Sequence, residues 1–286
     1  MTQSWFEETL YPDYGQRFLI TRTLYRQKTE YQELAIHETA SFGRVLTLDG
    51  VCQTTEKDEF FYHEMMTHLP IMAHGRAERV LIIGGGDGGI LREVLRHASV
   101  VKATMVEIDP AVIELTKTYI PSIPAGAFDD PRTDLVIGDG VKFVAETRQR
   151  FDVVIVDSTD PIGPAEQLFA TDFYAGCKRC LDPGGVMVTQ NGVPFMQRDE
   201  FTTTYKRLRP LFPDTGFYFV PVPSYVGGAM SMSWASLDPA HRRHGVETIA
   251  ARFAAARIAT RYYTPAIHVA AFAVPAYLQT LIDQAR

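Results

Sequence analysis

A chain of 286 residues that is 46% hydrophobic and 22% charged has the balance of an ordinary globular protein, which excludes disordered and collagen-like classes. Its 34 Asp and Glu against 28 Lys and Arg leave a formal charge of −6, disfavouring nonspecific nucleic-acid binding and mildly favouring cationic ligands. Three cysteines (Cys52, Cys177, Cys180) are too few for a disulfide framework, and there is neither a signal-peptide-like start nor a bilayer-length apolar run, so a cytoplasmic protein without membrane contact is expected.

Between Tyr14 and Thr54 the pattern is short and strand-like: Phe18 and Ile20, Leu34 and Ile36, then Val45 to Leu48 joined by Asp49-Gly50 to Val51 through Thr54. Asp-Gly between two such runs is the chemistry of a tight hairpin, because both turn residues need positive φ. Residues 1–55 are therefore expected to form a small antiparallel β domain. Thr55-x-x-Asp58 has the form of a capping box opening a helix from Phe60 to His68, with Pro70 after its end. From Arg79 onward, apolar runs at Val80–Ile83, Thr104–Val106, Leu135–Ile137, Val153–Val156 and Val186–Thr189 alternate with helical segments. Such runs are apolar on both faces, which indicates a parallel sheet covered on both sides. The expected fold class is α/β: residues 56–286 form a Rossmann-like, methyltransferase-type doubly wound sheet, and Ala251 to Ala259 forms a plain alanine-rich helix.

In an open α/β sheet the ligand lies outside the carboxyl ends of the strands. Here those ends are Gly84-Gly85-Gly86-Asp87-Gly88-Gly89, Glu107-Ile108-Asp109, Asp139-Gly140 and Asp157-Ser158-Thr159-Asp160, so each of four successive tips presents a carboxylate to one crevice. Gly84, Gly86 and Gly89 satisfy G-x-G-x-x-G, and Glu107 follows Gly89 by 18 residues, where a ribose-binding acid is expected. That much fits a dinucleotide as well as a nucleoside. Asp87 discriminates, because a carboxylate in that loop repels pyrophosphate and suits a nucleoside with a cationic side chain. At the fourth tip, Asp157 and Asp160 can hold ammonium groups or accept a proton. Asp157 could instead merely cap the next helix, but the three other acidic tips favour a site. Pro161-Ile162-Gly163-Pro164 suits an ordered loop able to cover it.

These segments resemble the spermidine synthases over nearly the whole chain. The resemblance is carried by Leu48-Asp49-Gly50-Val51, Asp58-Glu59-Phe60, Tyr62-His63-Glu64-Met65, Val80 to Gly89, Leu91-Arg92-Glu93-Val94, Val106 to Asp109 and Asp157 to Pro164. It implies aminopropyl transfer from decarboxylated S-adenosylmethionine, as co-substrate, to putrescine, with no cofactor and no metal. It further implies that Gln32, Gly84, Gly86, Glu107, Asp139, Gly140 and Pro164 bind the thionucleoside and that Asp87 holds the propyl ammonium. Tyr62, His63, Ser158, Thr159, Asp160, Gln190 and Tyr225 would line the diamine path with Asp157 as base, and Trp5 would close its far end. Tyr62-His63 departs from the Tyr-Gln pair of other members. A homodimer or homotetramer is implied, and the open edges of the β domain offer an interface.

Other motifs have plainer readings. His63-Glu64-Met65-Met66-Thr67-His68 places its second histidine one position too far for a zinc-protease helix, so the rings fall on different faces. Cys177 and Cys180 have redox spacing but no preceding strand, and fit a helix face. Met65, Met66 and Met72 fit packing. Three rival functions are a methyltransferase, whose donor carries a carboxylate that Asp87 and Asp157 disfavour, a non-catalytic polyamine-binding protein and an NAD oxidoreductase. Cadaverine, agmatine and spermidine are alternative acceptors.

Overall fold

A computed structural model describes residues 4–8, 10–160 and 163–285, with the backbone alone for Gly163 and Pro164. The chain opens with five antiparallel strands in sequential order: β1 (Ser4–Glu7), β2 (Arg17–Lys28), β3 (Glu33–Thr39), β4 (Gly43–Leu48) and β5 (Val51–Thr55). The β4–β5 turn is the expected one, with Asp49 and Gly50 both at positive φ (47° and 77°). Strand β1 was not expected; it pairs with β2 at the open edge.

Helix α1 (Glu59–His74) follows, and here sequence reasoning needs correction twice. Thr55 Oγ1 donates to Asp58 Oδ1 at 2.6 Å, but Asp58, itself the N-cap residue, turns its other oxygen to the Ser224 amide at 2.7 Å and makes no cap bond. Half of the expected box is kept, the Asp58 amide donating to Thr55 Oγ1 at 3.4 Å, and the Asp58 side chain makes a long-range tie in place of the other half. The helix also runs through Pro70 and stops only at Gly75, which adopts φ 80°. Leu69 to Ala73 are all buried, and that packing outweighs the lost backbone bond at proline.

A seven-stranded sheet then forms from β6 (Arg79–Gly84), β7 (Lys102–Glu107), β8 (Thr133–Ile137), β9 (Phe151–Asp157), β10 (Leu181–Gln190), β11 (Asp214–Val220) and β12 (Met230–Ser236). Its order is β11-β12-β10-β9-β6-β7-β8. The five expected runs are parallel, whereas β12 is antiparallel to both its neighbours. Strands β11 and β12 escaped notice because glycine and serine interrupt them. The buried hydroxyls are nonetheless satisfied, as in the 2.6 Å bond between Thr189 and Ser233. At the other edge β8 leaves Leu135 and Ile137 exposed, so it is not covered on both sides as expected.

Alternation along the central strands separates two cores. Val80, Ile82, Val153 and Ile155 pack with α1 and α2 (Gly89–Leu95) on one face, while Leu81, Ile83, Val154 and Val156 pack with α4 (Gly140–Glu146) and α5 (Thr171–Cys180) on the other. Cys177 and Cys180 lie buried and free on α5, and Met65, Met66 and Met72 belong to the first core. Helix α3 (Pro110–Tyr119) joins the two sheets by packing Val112 and Leu115 against Leu34, Ile36 and Leu46. Fully burying each such aliphatic side chain is worth ~1.5–3 kcal/mol.

Helix α6 (Arg198–Leu208) leads to β11, and α7 (Val246–Ala256), α8 (Pro265–Ala270) and α9 (Ala276–Gln284) complete the chain. The alanine-rich helix is therefore α7, shifted toward the N-terminus and ended by Arg257 in the left-handed region. Buried Glu64 ties this end to α1 by accepting the backbone N–H groups of Arg261, Tyr262 and Tyr263 at 2.7–2.8 Å.

Candidate active site

From the central strand β6 the chain winds outward through β7 and β8 and returns to β9 on β6's other side, so the winding reverses between β6 and β9. Such a reversal opens a crevice at the carboxyl ends of the two strands. Gly84 and Asp157 stand side by side there in register. A Cβ on Gly84 would come within 2.0 Å of the Asp157 carbonyl oxygen, so only glycine fits. Gly86 is needed for close approach rather than for its φ, since its Cβ would stand 2.9 Å from Glu107 Oε2.

A cavity of about 320 Å³ fills this crevice and extends beneath the five-stranded sheet. Gln32, Tyr62, His63, Gly84, Gly86, Asp87, Glu107, Asp139, Gly140, Asp157, Ser158, Thr159, Asp160, Gln190 and Tyr225 all line it. Pro161 and Ile162 of the expected covering loop lie outside the described residues, as does the side chain of Pro164.

At the end of the cavity formed by the tips of β6, β7 and β8 each carboxylate is fixed by an amide two residues ahead. Asp87 Oδ1 accepts from Gly89 N at 2.8 Å, Glu107 Oε1 from Asp109 N at 2.9 Å and Asp139 Oδ1 from Val141 N at 2.7 Å. Asp139 thereby caps α4 while still facing the cavity. Gln32 reaches the site from the β2–β3 turn, its amide donating to Asp109 Oδ2 at 3.1 Å. Burial raises Glu107 to about 7 despite the Asp109 amide.

At the centre, Tyr62 donates its hydroxyl to Asp157 Oδ1 at 2.6 Å. Asp157 ends β9, and among the described residues no helix has it as its N-cap residue. Its second oxygen sits over Gly85, where a Cβ would come within 3.1 Å. Burial, reinforced by the Asp87 charge, raises Asp157 to about 6, which leaves it a proton acceptor at neutral pH. Asp87 behaves oppositely: although burial pushes it upward, His63 Nε2 at 3.2 Å from its Oδ2 holds it below the usual carboxylate range. His63 is itself raised to about 10, because Asp87 and Glu59 outweigh burial. Tyr225 crosses beside the Tyr62 ring and donates to the Gln53 carbonyl at 2.7 Å.

The far end holds residues that sequence reasoning missed. Gln197 donates to Asp160 Oδ1 at 2.8 Å and Glu200 Oε2 at 3.2 Å, and accepts from Tyr11 at 3.2 Å and the Val193 amide at 2.7 Å. Glu8 stands nearby, held by the Cys52 amide at 2.9 Å. Burial raises Glu8, Asp160 and Glu200, the last to about 8, and the Asp160 charge adds to the rise in both glutamates. These residues sit on unrelated segments without a motif. The signal available was acid at each end of a turn-rich stretch, which is too common to select them. Trp5 does not close this end: it lies on β1, 42% exposed, under the Arg17 guanidinium at 4.5 Å, and Glu8, Leu10 and Tyr11 line the cavity instead.

His63 and His68 face different partners, the latter His97 at 2.9 Å and Glu93 at 3.0 Å, so α1 does not present them together. Among the described residues no cluster of three or more His, Cys, Asp or Glu is arranged to hold a metal ion, and no helix is long and apolar enough to cross a membrane.

Residues 59–244 match the spermine/spermidine synthase domain. The chain belongs to the spermine/spermidine synthase family. Residues 4–56 match the spermidine synthase tetramerisation domain. The chain is 58% identical over 279 residues to polyamine aminopropyltransferase 1 of Pseudomonas aeruginosa, covering 98% of both. It is 56% identical over 278 residues to the polyamine aminopropyltransferase of Salmonella schwarzengrund, covering 97% of both. A spermidine synthase crystallised with the transition-state analogue AdoDATO superposes with a TM-score of 0.93 at 36% identity, over 98% of this chain and 95% of that one. The spermidine synthase of Thermotoga maritima gives 0.91 at 36% identity, over 99% and 96%.

Proposed function

We propose that this enzyme transfers the aminopropyl group of decarboxylated S-adenosylmethionine to putrescine, giving spermidine and 5′-methylthioadenosine. The observation that carries the acceptor assignment is the separation of carboxylates along one cavity, with Asp157 at the centre and Glu8 and Asp160 at the far end. A two-ended cation fits such a cavity, with one amine at the reacting centre and one retained beyond it. Gln190 supports this reading, since its buried Oε1 has no partner among the described residues and offers an acceptor beside Asp160.

Asp157 accepts a proton from the incoming ammonium as the nitrogen lone pair attacks the propyl carbon on sulfur. The C–N bond forms, the C–S bond breaks, and its electron pair returns to the sulfonium, leaving a neutral thioether. Sulfonium already makes that carbon electrophilic, so the protein supplies a free amine and alignment. A free alkylamine near the lysine reference of about 10.4 is scarce at neutral pH, which is why an acceptor raised to about 6 is useful. Glu107 receives the ribose hydroxyls, Asp139 and Gly140 face the adenine, Gln32 closes over the nucleoside, and Asp87 holds the propyl ammonium. Tyr62, His63 and Tyr225 wall the acceptor path, and the backbone of Ser158 and Thr159 carries it toward Asp160.

The test is incubation with putrescine and the decarboxylated donor, with spermidine and methylthioadenosine followed by mass spectrometry. Absence of both products, or methyl transfer from S-adenosylmethionine itself, overturns the reading. Cadaverine, agmatine and spermidine compete in the same assay to define acceptor length. We also expect a homodimer or homotetramer built on the N-terminal sheet, whose β1 edge is open; a monomer in light scattering refutes it. Three free, buried cysteines support a cytoplasmic setting.

A further inference from the structure

Behind Asp87, a row of buried and half-buried charges that starts at His63 in the cavity wall links the two helices under the active site. Glu59 and His63 lie one turn apart on α1, and Gly89 and Arg92 occupy the start of α2. Glu59 Oε2 stands 2.5 Å from His63 Nδ1 and 2.8 Å from Arg92 Nη2, while His63 Nε2 faces Asp87 Oδ2 at 3.2 Å. Arg92 is anchored in turn by Glu93 Oε1 at 2.8 Å and the Ile123 carbonyl at 2.6 Å. The imidazole packs directly against Gly89, where a Cβ would lie 2.1 Å from its Cε1, so only glycine admits the ring there.

A neutral imidazole has one N–H and one lone pair. With carboxylate oxygens at both nitrogens, either neutral tautomer would aim that lone pair at a negative charge in a site where His63 is 2% exposed and Glu59 8%. Only the imidazolium satisfies both. Glu59 does not line the cavity. Its effect on the reaction must therefore pass through the ring.

We infer that Glu59 is a positioning residue: with Arg92 behind it, it keeps both nitrogens of His63 protonated, so that the imidazolium holds Asp87 ionised and oriented toward the donor's amine. This rests on the reading of Asp87 as the ammonium ligand. The charged and titratable groups facing His63 are Glu59 and Tyr62 of α1, Asp87 of the glycine loop, Arg92 of α2 and Asp157 of β9.

The first measurement needs no variant in the enzyme under study: ¹⁵N-histidine NMR of the wild type, with His63 assigned by the resonance that His63→Gln removes. Both ring nitrogens should report a protonated ring from pH 6 to 8.5, and a neutral ring at pH 7.5 overturns the inference. The second is kinetic. Glu59→Gln should raise the KM for the decarboxylated donor about tenfold, as one charge-assisted hydrogen bond allows, with methylthioadenosine affinity and turnover at saturating donor unchanged. In a His63→Gln background Glu59→Gln should add nothing, because its route is gone. Equal losses for donor and methylthioadenosine, or additive effects of the two substitutions, mean a merely structural role and overturn it. Asp87→Asn separates the layers: if it spares the donor, the reading of Asp87 falls and the inference with it. If Asp87→Asn impairs the donor and Glu59→Gln does not, the inference alone falls.

Discussion

The half of the cavity proposed for the donor comes from successive strand tips of one sheet, whereas the half proposed for the acceptor is gathered from Glu8, Leu10, Tyr11, Gln53, Tyr62, Gln190, Gly192, Val193, Gln197 and Tyr225. Their hydrogen bonds differ accordingly. Asp87, Glu107 and Asp139 each accept from an amide two residues along the chain. In the acceptor half, Tyr62 and Asp157 are 95 residues apart, Tyr11 and Gln197 186, and Gln16 and Ser224 208. Local turns hold a donor-site acid in place once its strand forms; acceptor-site acids are placed only when the whole chain has folded. Their electrostatics diverge too: Asp87 is held below the usual carboxylate range by His63, while Glu8, Asp160 and Glu200 accept hydrogen bonds from amides alone and rise with burial, the two glutamates further through the Asp160 charge.

Asp157 sits on the seam, and its removal should have the largest effect. Asp157→Asn should lower single-turnover rates by about 10² to 10⁴ at saturating substrates with donor affinity kept, and the residual rate should climb from pH 7 to 10 as free amine increases. In the wild type kcat/KM should fall as pH drops below about 6, because protonation of Asp157 removes the base. Near-normal turnover in the variant would pass the role to Asp160 or Tyr62.

Next in size is the far end. Asp160→Asn should raise the putrescine KM by about 10- to 100-fold, the worth of a buried charged hydrogen bond, and leave donor KM alone. A comparable rise in donor KM would show that the two halves do not act separately.

Glu107→Gln should weaken methylthioadenosine binding several-fold in calorimetry at pH 8.5 and less at pH 6. Burial raises this acid to about 7, so below that pH the free wild-type enzyme carries a neutral carboxyl that resembles the amide. A loss independent of pH would remove the charge from the argument.

The smallest effect expected is on stability. Glu200 is raised to about 8, so the folded state binds its proton more tightly than the unfolded chain; stability from that proton is full below the ordinary glutamate range and lost as pH rises through about 8. Glu200→Gln should therefore raise the Tm of the ligand-free enzyme by a few degrees at pH 9 and hardly at pH 5. An equal gain at both pH values would point to packing instead.

Much of this was legible in the chain. Periodicity located the five parallel strands and the Asp49-Gly50 hairpin, because each depends on contacts within a few residues. The donor acids were visible for the same reason, since a strand tip fixes where its next carboxylate points. Two features were hidden by residue types that read as breakers: Pro70 inside α1, and the serine-rich β12, whose buried Ser231, Ser233 and Ser236 find partners only across the sheet or in its adjoining turn.

By itself, then, the order of residues determined the doubly wound sheet and the Asp49-Gly50 hairpin, since these follow from local sterics and alternation, and the resemblance of its motifs pointed to the family. The tertiary structure alone decided that Asp58 ties to Ser224 rather than capping its helix, that Glu8, Gln197 and Glu200 meet Asp160, and that His63 is clamped between Glu59 and Asp87. The physical reason is that a buried carboxylate takes its charge state from whichever donors, cations and apolar walls surround it, and those arrive from parts of the chain that no local pattern links.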